Sequence, residues 1–186
     1  MKRATRILLT AAVAAVFLGA CAKQSLKATY DKQTANIESF LNAQMKADTL
    51  ATLTRNQGAY RLTLHDTLDA RRDSLRFGGR AALYYACYLL TGSSLSASNL
   101  VSTNLKDIAT ASNWKLSDTL QFKLDTLTLD KTLLNGLQMG LQGVQQYDEG
   151  FILFTGEYGF GNIQSGTIPA RSALVYYIWI NEIFNE

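Results

Sequence analysis

The segment KTLLNGLQMGLQGV, residues 131–144, does most to narrow the folds open to this chain. Leu133, Leu137, Leu141 and Val144 recur at helical spacing, joined by Leu134, whereas nearby stretches alternate with a period of two. Gly136, Gly140 and Gly143 make a neighbouring stripe. Glycine inside a helix costs roughly 1 kcal/mol relative to alanine, so the stripe predicts close packing that offsets the cost. A strand backbone is the expected neighbour. The chain must therefore set one short helix, leucine-lined and glycine-lined, against a sheet.

The remaining segments predict that sheet. AYRLTL (59–64) alternates Tyr60, Leu62 and Leu64 against Arg61, Thr63 and the following His65, and LQFKLDTLTL (120–129) alternates likewise. AALYYACYLL (81–90) is nearly all apolar, as a strand covered on both faces would be, and SALVYYIWINEIF (172–184) closes the chain as a long apolar strand. FILFTG (151–156) is a further strand, and FGGR (77–80) and YDEG (147–150) are turns, the latter placing Asp148 and Glu149 in solvent. ATLTRNQG (51–58) reads as a linker, and the Ser-, Thr- and Asn-rich residues 91–118 as a long excursion with a helical turn. From about Asp31 to Asp48, the residues Ile37, Phe40, Leu41 and Met45 mark one amphipathic helix, docked on the domain or on a partner, with Asp31 as its cap. Residues 22–30, AKQSLKATY, are a polar tether. The order gives an α+β class with a mainly antiparallel sheet.

The N-terminus sets the compartment. Lys2, Arg3 and Arg6 precede ILLTAAVAAVFLGA, an apolar run too short and alanine-rich for a comfortable membrane span. It closes on LGAC, Leu18–Cys21, which resembles the lipobox of bacterial lipoproteins. That resemblance implies removal of residues 1–20 and a diacylglycerol thioether on Cys21, a multi-chain anchor that holds far better than one acyl chain. Without the leader's three basic groups, 18 basic and 15 acidic residues become 15 and 15. The balance leaves no electrostatic case for nucleic-acid binding. With Cys21 lipidated, Cys87 stands alone in an apolar run and reads as a buried small residue rather than a redox group.

YGFGNIQSGTIP (158–169) holds three glycines and the only proline. A phosphate cradle needs backbone N–H groups followed by a helix N-terminus. Here Gln164 stands where a third glycine belongs, no lysine is near, and Pro169 leads into a strand, so the phosphate reading fails on context. Read in order, LLNGLQMGLQGV, GFILFTGEYGFG, GTIP and SALVYYIWI resemble the C-terminal half of the FKBP-type peptidyl-prolyl isomerases. Upstream, YYACYLLTGSSLSAS resembles the same family more weakly, with LVSTN (100–104) as an alternative register. The resemblance implies a bent antiparallel sheet wrapped around one short helix. The chain then divides into a leader (1–20), a tether and amphipathic helix (21–54) and an FKBP-like domain (55–186).

The resemblance also implies a substrate groove. Tyr85 would form its wall, Leu133 and Leu134 its entrance with the Leu134 N–H as donor, and Leu137 its floor, with Phe160, Ile168 and Tyr176 enclosing it. No cofactor, metal or covalent catalytic residue is implied. Rotating an amide needs only a dry pocket that binds the twisted bond better than the planar one. For that reason His65, the only histidine, and the carboxylates of HDTLD (65–69) carry no catalytic assignment.

The chain departs from the family at four positions. Leu137 replaces the usual floor tryptophan, and Phe160 replaces a tyrosine whose hydroxyl bonds the ligand. The family's aspartate falls on Ser96 or Ser102, and its neighbouring phenylalanine on Leu95 or Val101. The functional expectation is an envelope lipoprotein, on the outer membrane, acting as a weak prolyl isomerase on proline-containing exported polypeptides. A non-catalytic binding module in an envelope complex is the alternative. A glycan-binding lipoprotein stacking sugars on Tyr84, Tyr85, Tyr88, Tyr176 and Tyr177 is a third.

Overall fold

A computed structural model of the chain describes residues 2–64, 72–115 and 122–185. His65 and the HDTLD carboxylates lie outside the described residues. Two compact units are present, Met1–Lys32 and Gln33–Glu186.

Helix α1 runs Lys2–Ala47, so residues 22–30 are helical rather than a tether. Their Ala, Lys, Gln and Leu residues are good helix formers and neither glycine nor proline interrupts them. Asp31 does not cap a helix. It lies inside α1, where its carboxylate accepts from Lys27 Nζ one turn earlier at 2.9 Å. Among the described residues no helix is long and apolar enough to cross a membrane.

In the second unit the strands are β1 (Thr52–Asn56), β2 (Ala59–Thr63), β3 (Arg80–Leu89), β4 (Leu100–Thr103), β5 (Asp125–Thr128), β6 (Glu149–Phe154) and β7 (Leu174–Phe184). All pair antiparallel in the order β1-β2-β6-β7-β3-β4, with β5 on β3 beside β4. Helices α2 (Lys106–Ala111) and α3 (Asn135–Leu141) complete the described elements with a 3₁₀ turn at Ala97–Asn99. Register shifts at Ala82/Leu83 and Cys87/Tyr88 bend the sheet along β3.

Two expectations change here. The expected linker is β1, an edge strand joined to β2 by Gln57 and Gly58, both at positive φ as a two-residue primed hairpin turn requires. Its side chains are mostly exposed, so nothing in their pattern marks a buried face. The excursion at 91–118 contains β4 and α2, a strand and a helix of four and six residues.

Most of β3 and the first part of β7 are covered on both faces, whereas Asn181, Glu182 and Phe184 at the end of β7 are exposed. On one side, α3 packs Leu137 and Leu141 against Leu83, Cys87, Ile152, Phe154, Leu174 and Ile178. On the other, Ile37, Phe40 and Leu41 of α1 pack on Leu62, Phe151, Leu153 and Val175, with Phe40 edge-on to Phe151 at 5.2 Å. The amphipathic helix therefore docks on the domain's own sheet. Burying a side chain of this size contributes about 1.5–3 kcal/mol.

The glycines of α3 have two different causes. A Cβ on Gly136 would lie 2.1 Å from Phe154 Cγ, and one on Gly140 2.1 Å from Ile152 Cγ2. The close neighbours are thus β6 side chains, not the expected strand backbone. Gly143 meets nothing within 4 Å but has φ +79°, and it terminates the helix in the left-handed conformation. The last carbonyls of α3 are satisfied from the sheet. Asn56 Nδ2 donates to Met139 O, and Arg61 Nη1 donates to Gly140 O at 3.1 Å and Gln142 O at 2.8 Å. Burial pushes the Arg61 guanidinium below its usual pKa, with Asp148 pulling the other way.

Asp148 and Glu149 are not solvated turn residues. Asp148 is buried, accepts from the Gln145 N–H at 2.8 Å and faces Arg72 Nη2 at 3.7 Å. Glu149 opens β6 and accepts the Tyr177 hydroxyl. A surface strand end and a buried one look alike in sequence until the partner strand is known.

Candidate functional site

The glycine hairpin between β6 and β7 is fixed to the frame at three points. Gln33 Oε1 accepts from the Gly156 N–H at 2.9 Å while its amide donates to Arg171 O, tying the two stems together. Farther out, the Arg171 N–H donates to Gly161 O. The Gly136 N–H then donates to Tyr158 O at 2.8 Å, which holds the hairpin on the first turn of α3. Phe160 and Ile168 pack from this hairpin onto the core.

Beside α3 lies a pocket of about 140 Å³. Its apolar walls are Leu83 and Tyr85 from β3, Leu127 from β5, Leu133 and Leu137 at the start of α3, and Tyr176 and Ile178 from β7. Ser102 and Asp125 supply the polar atoms. An apolar cavity of about 150 Å³ accepts a benzene ring, so this one has room for the smaller pyrrolidine ring and little else. The Tyr85 and Tyr176 rings stand 6.2 Å apart and tilted, and Tyr176 stacks on Phe154 at 6.0 Å.

Of the seven groove residues expected from sequence, Tyr85, Leu133, Leu137 and Tyr176 come together here. Leu134, Phe160 and Ile168 pack against the same core without lining the pocket. The Leu134 N–H has no acceptor among the described residues, which leaves it available to a bound carbonyl. The two registers for the weaker motif fall in different places. Ser102 sits on β4 with its Oγ 3.0 Å from the Tyr85 hydroxyl, and Val101 packs on the pocket side of the sheet. Ser96 is exposed and bonds Ser98, while Leu95 packs on the opposite face with α1. Leu83, Leu127 and Ile178 were not anticipated. Period-two alternation carried on from Tyr85 and Tyr176 would have placed Leu83 and Ile178 on the same face.

The core behind the Tyr176 wall is electrostatically quiet. Burial pushes the Cys87 thiol up to about 12, and burial raises the Tyr176 phenol well above its usual range, the two groups sharing a hydrogen bond. Both stay neutral at physiological pH, so the core against which the Tyr176 wall packs is uncharged. The available hydroxyls are the Tyr85–Ser102 pair at the rim. Of the five tyrosines in the glycan expectation, Tyr84, Tyr88 and Tyr177 alternate onto the α1 side of the sheet and Tyr85 and Tyr176 onto the pocket side, so they form no common platform.

No protein-family model matches this chain, and no curated protein sequence matches it. Solved structures do. The chain is similar to the three FKBP domains of wheat FKBP73 with TM-score 0.55 and 12% identity, over 73% of this chain and 52% of that one. It is similar to FkpA from Escherichia coli with TM-score 0.55 and 12% identity, over 96% and 71%. A peptidyl-prolyl cis-trans isomerase from Pseudomonas syringae gives TM-score 0.53 and 15% identity, over 84% and 96%. The fold is FKBP-like. The chain spans about half the length of the wheat three-domain chain. At these identities the likeness concerns the fold, and the FKBP-like sheet and α3 are what place the pocket.

Proposed function

We propose that the chain binds peptidyl-proline in the pocket between α3, β3 and β7 and speeds cis–trans exchange of the preceding amide. The supporting observation is the pocket itself, about 140 Å³, walled by Leu133, Leu137, Tyr85 and Tyr176. An X–Pro bond meets a barrier of about 18–20 kcal/mol because rotation breaks amide resonance. Cis and trans differ by only about 0.5–1 kcal/mol, so the task is speed. A ring held in an apolar pocket leaves the amide to twist at the rim, out of bulk water. There the Leu134 N–H and the Tyr85–Ser102 hydroxyls can donate to flanking carbonyls. Interactions made better with the twisted amide than the planar one lower the barrier.

The reading includes a handicap. Phe160 supplies no hydroxyl, and a lost hydrogen bond of this kind costs about 0.5–1.5 kcal/mol, or roughly 2- to 12-fold in rate. Adding the chain at high micromolar concentration to an Xaa–Pro peptide is expected to raise cis–trans exchange above background, read by NMR exchange spectroscopy. Ser102→Trp, which puts an indole into the pocket, is expected to abolish the gain. No acceleration by the native chain removes the enzyme assignment, and equal acceleration by the variant moves it elsewhere.

The cellular setting in this reading is the envelope, with Cys21 lipidated and exported polypeptides as clients. It rests on the LGAC sequence closing a short apolar run. Cys21→Ser is expected to shift the chain from the membrane fraction to the soluble fraction of cells and to stop its metabolic labelling with fatty acid. Unchanged labelling would overturn the anchor.

A further inference from the structure

The pocket continues past its apolar walls. Tyr85, Ser102 and Asp125 also line a second hollow, of about 310 Å³, completed by Thr103, Asn104 and Lys123. The two share a rim, and among the described residues the only charged group lining both is the Asp125 carboxylate. Lys123 lines the outer hollow but not the inner pocket. Asp125 opens β5 directly opposite Leu83 and is exposed, with Oδ1 accepting the Thr126 N–H at 2.8 Å. Among the described residues no cationic group comes within ion-pair distance of it.

Consecutive Cα atoms are 3.8 Å apart. A peptide whose prolyl ring fills the inner pocket therefore keeps its neighbouring residues close to this rim. At that rim stands the Asp125 carboxylate, beside the hydroxyls of Tyr85 and Ser102, which add acceptors. We propose that Asp125 makes the site selective for prolyl peptides bearing lysine or arginine next to the proline. The proposal rests on the peptidyl-proline reading and adds the substrate class to it.

The test uses the full chain and two sets of short peptides, one varying the residue before proline and one the residue after it, each with Lys, Leu or Glu. Dissociation constants are measured by NMR titration at low and high salt. In at least one set, Lys is expected to bind about 2- to 5-fold tighter than Leu, the range of an exposed ion pair, with Glu weakest and the spread collapsing at 1 M salt. Asp125→Asn is expected to erase the Lys-over-Glu ratio, and Asp125→Lys to invert it. Binding of all peptides without a charge ranking in either set, or a ranking that survives Asp125→Asn, overturns this proposal and leaves the peptidyl-proline reading standing. Failure of every peptide to bind overturns both.

Discussion

Asn104→Ala is expected to destabilise the domain by about 3 kcal/mol. β4 and β5 both pair with β3 along one edge, β4 through Ala86–Tyr88 and β5 through Arg80–Leu83. Asn104, 5% exposed, fills the gap between them and acts as a piece of strand. Its Oδ1 accepts the Tyr85 N–H at 2.7 Å, and its Nδ2 donates to Leu83 O and Lys123 O, each at 3.0 Å. Alanine leaves three backbone groups without partners, each costing about 1–3 kcal/mol where water cannot reach. Lys123 O is the nearest to solvent and recovers part of the loss. Asn104→Asp keeps the acceptor and loses both donors, so it is not expected to rescue. Urea unfolding measures the cost, and hydrogen exchange at the Tyr85 amide locates it. A change below 1 kcal/mol would mean that β4 and β5 hold together without this side chain.

Gly136→Ala is expected to cost about 2 kcal/mol, although helix propensity alone favours alanine by up to about 1 kcal/mol. The added Cβ would stand 2.1 Å from Phe154 Cγ and 2.5 Å from both Cδ atoms. These are the root of the ring, not a tip that can swing aside. Phe154 is fully buried and stacked on Tyr176 at 6.0 Å, a pocket wall. The ring or the helix must shift, and overpacking of this kind costs about 1–3 kcal/mol or more. A shift of α3 also moves Leu133 and Leu137, so peptide binding is expected to weaken along with stability. A stabilised Gly136→Ala variant would show that α3 does not press on β6.

The contrast between these sites shows what sequence could reveal. The last third of the chain was legible because its period changes from two to 3.6 and back, and because glycines recur on one side of α3. The cause of each glycine was not legible, since Gly136 and Gly140 make room for Phe154 and Ile152 while Gly143 only turns the chain. Strands β1 and β4 escaped notice for a physical reason. They are short edge strands held by backbone pairing, and their side chains need not declare a buried face. Asn104 escaped with them. Nothing in VSTN distinguishes a loop asparagine from one that splices two strands.

The candidate site was half legible for the same reason. Tyr85, Leu133, Leu137 and Tyr176 follow from a family pattern carried over position by position. Ser102 needed the β3–β4 register, where it pairs with Cys87, to be preferred over Ser96. Asp125 and Leu127 needed the placement of β5 on β3.

The central claim is that a prolyl ring occupies the pocket beside α3. Titrating a ¹⁵N-labelled chain with a proline peptide, and with the same peptide carrying alanine for proline, tests it most directly. The account expects proline-dependent amide shifts at Tyr85, Ser102, Leu127, Leu133–Leu137 and Tyr176, saturating together, and no such shifts with the alanine peptide. Shifts confined to the α1 side of the sheet, or equal for both peptides, would contradict it.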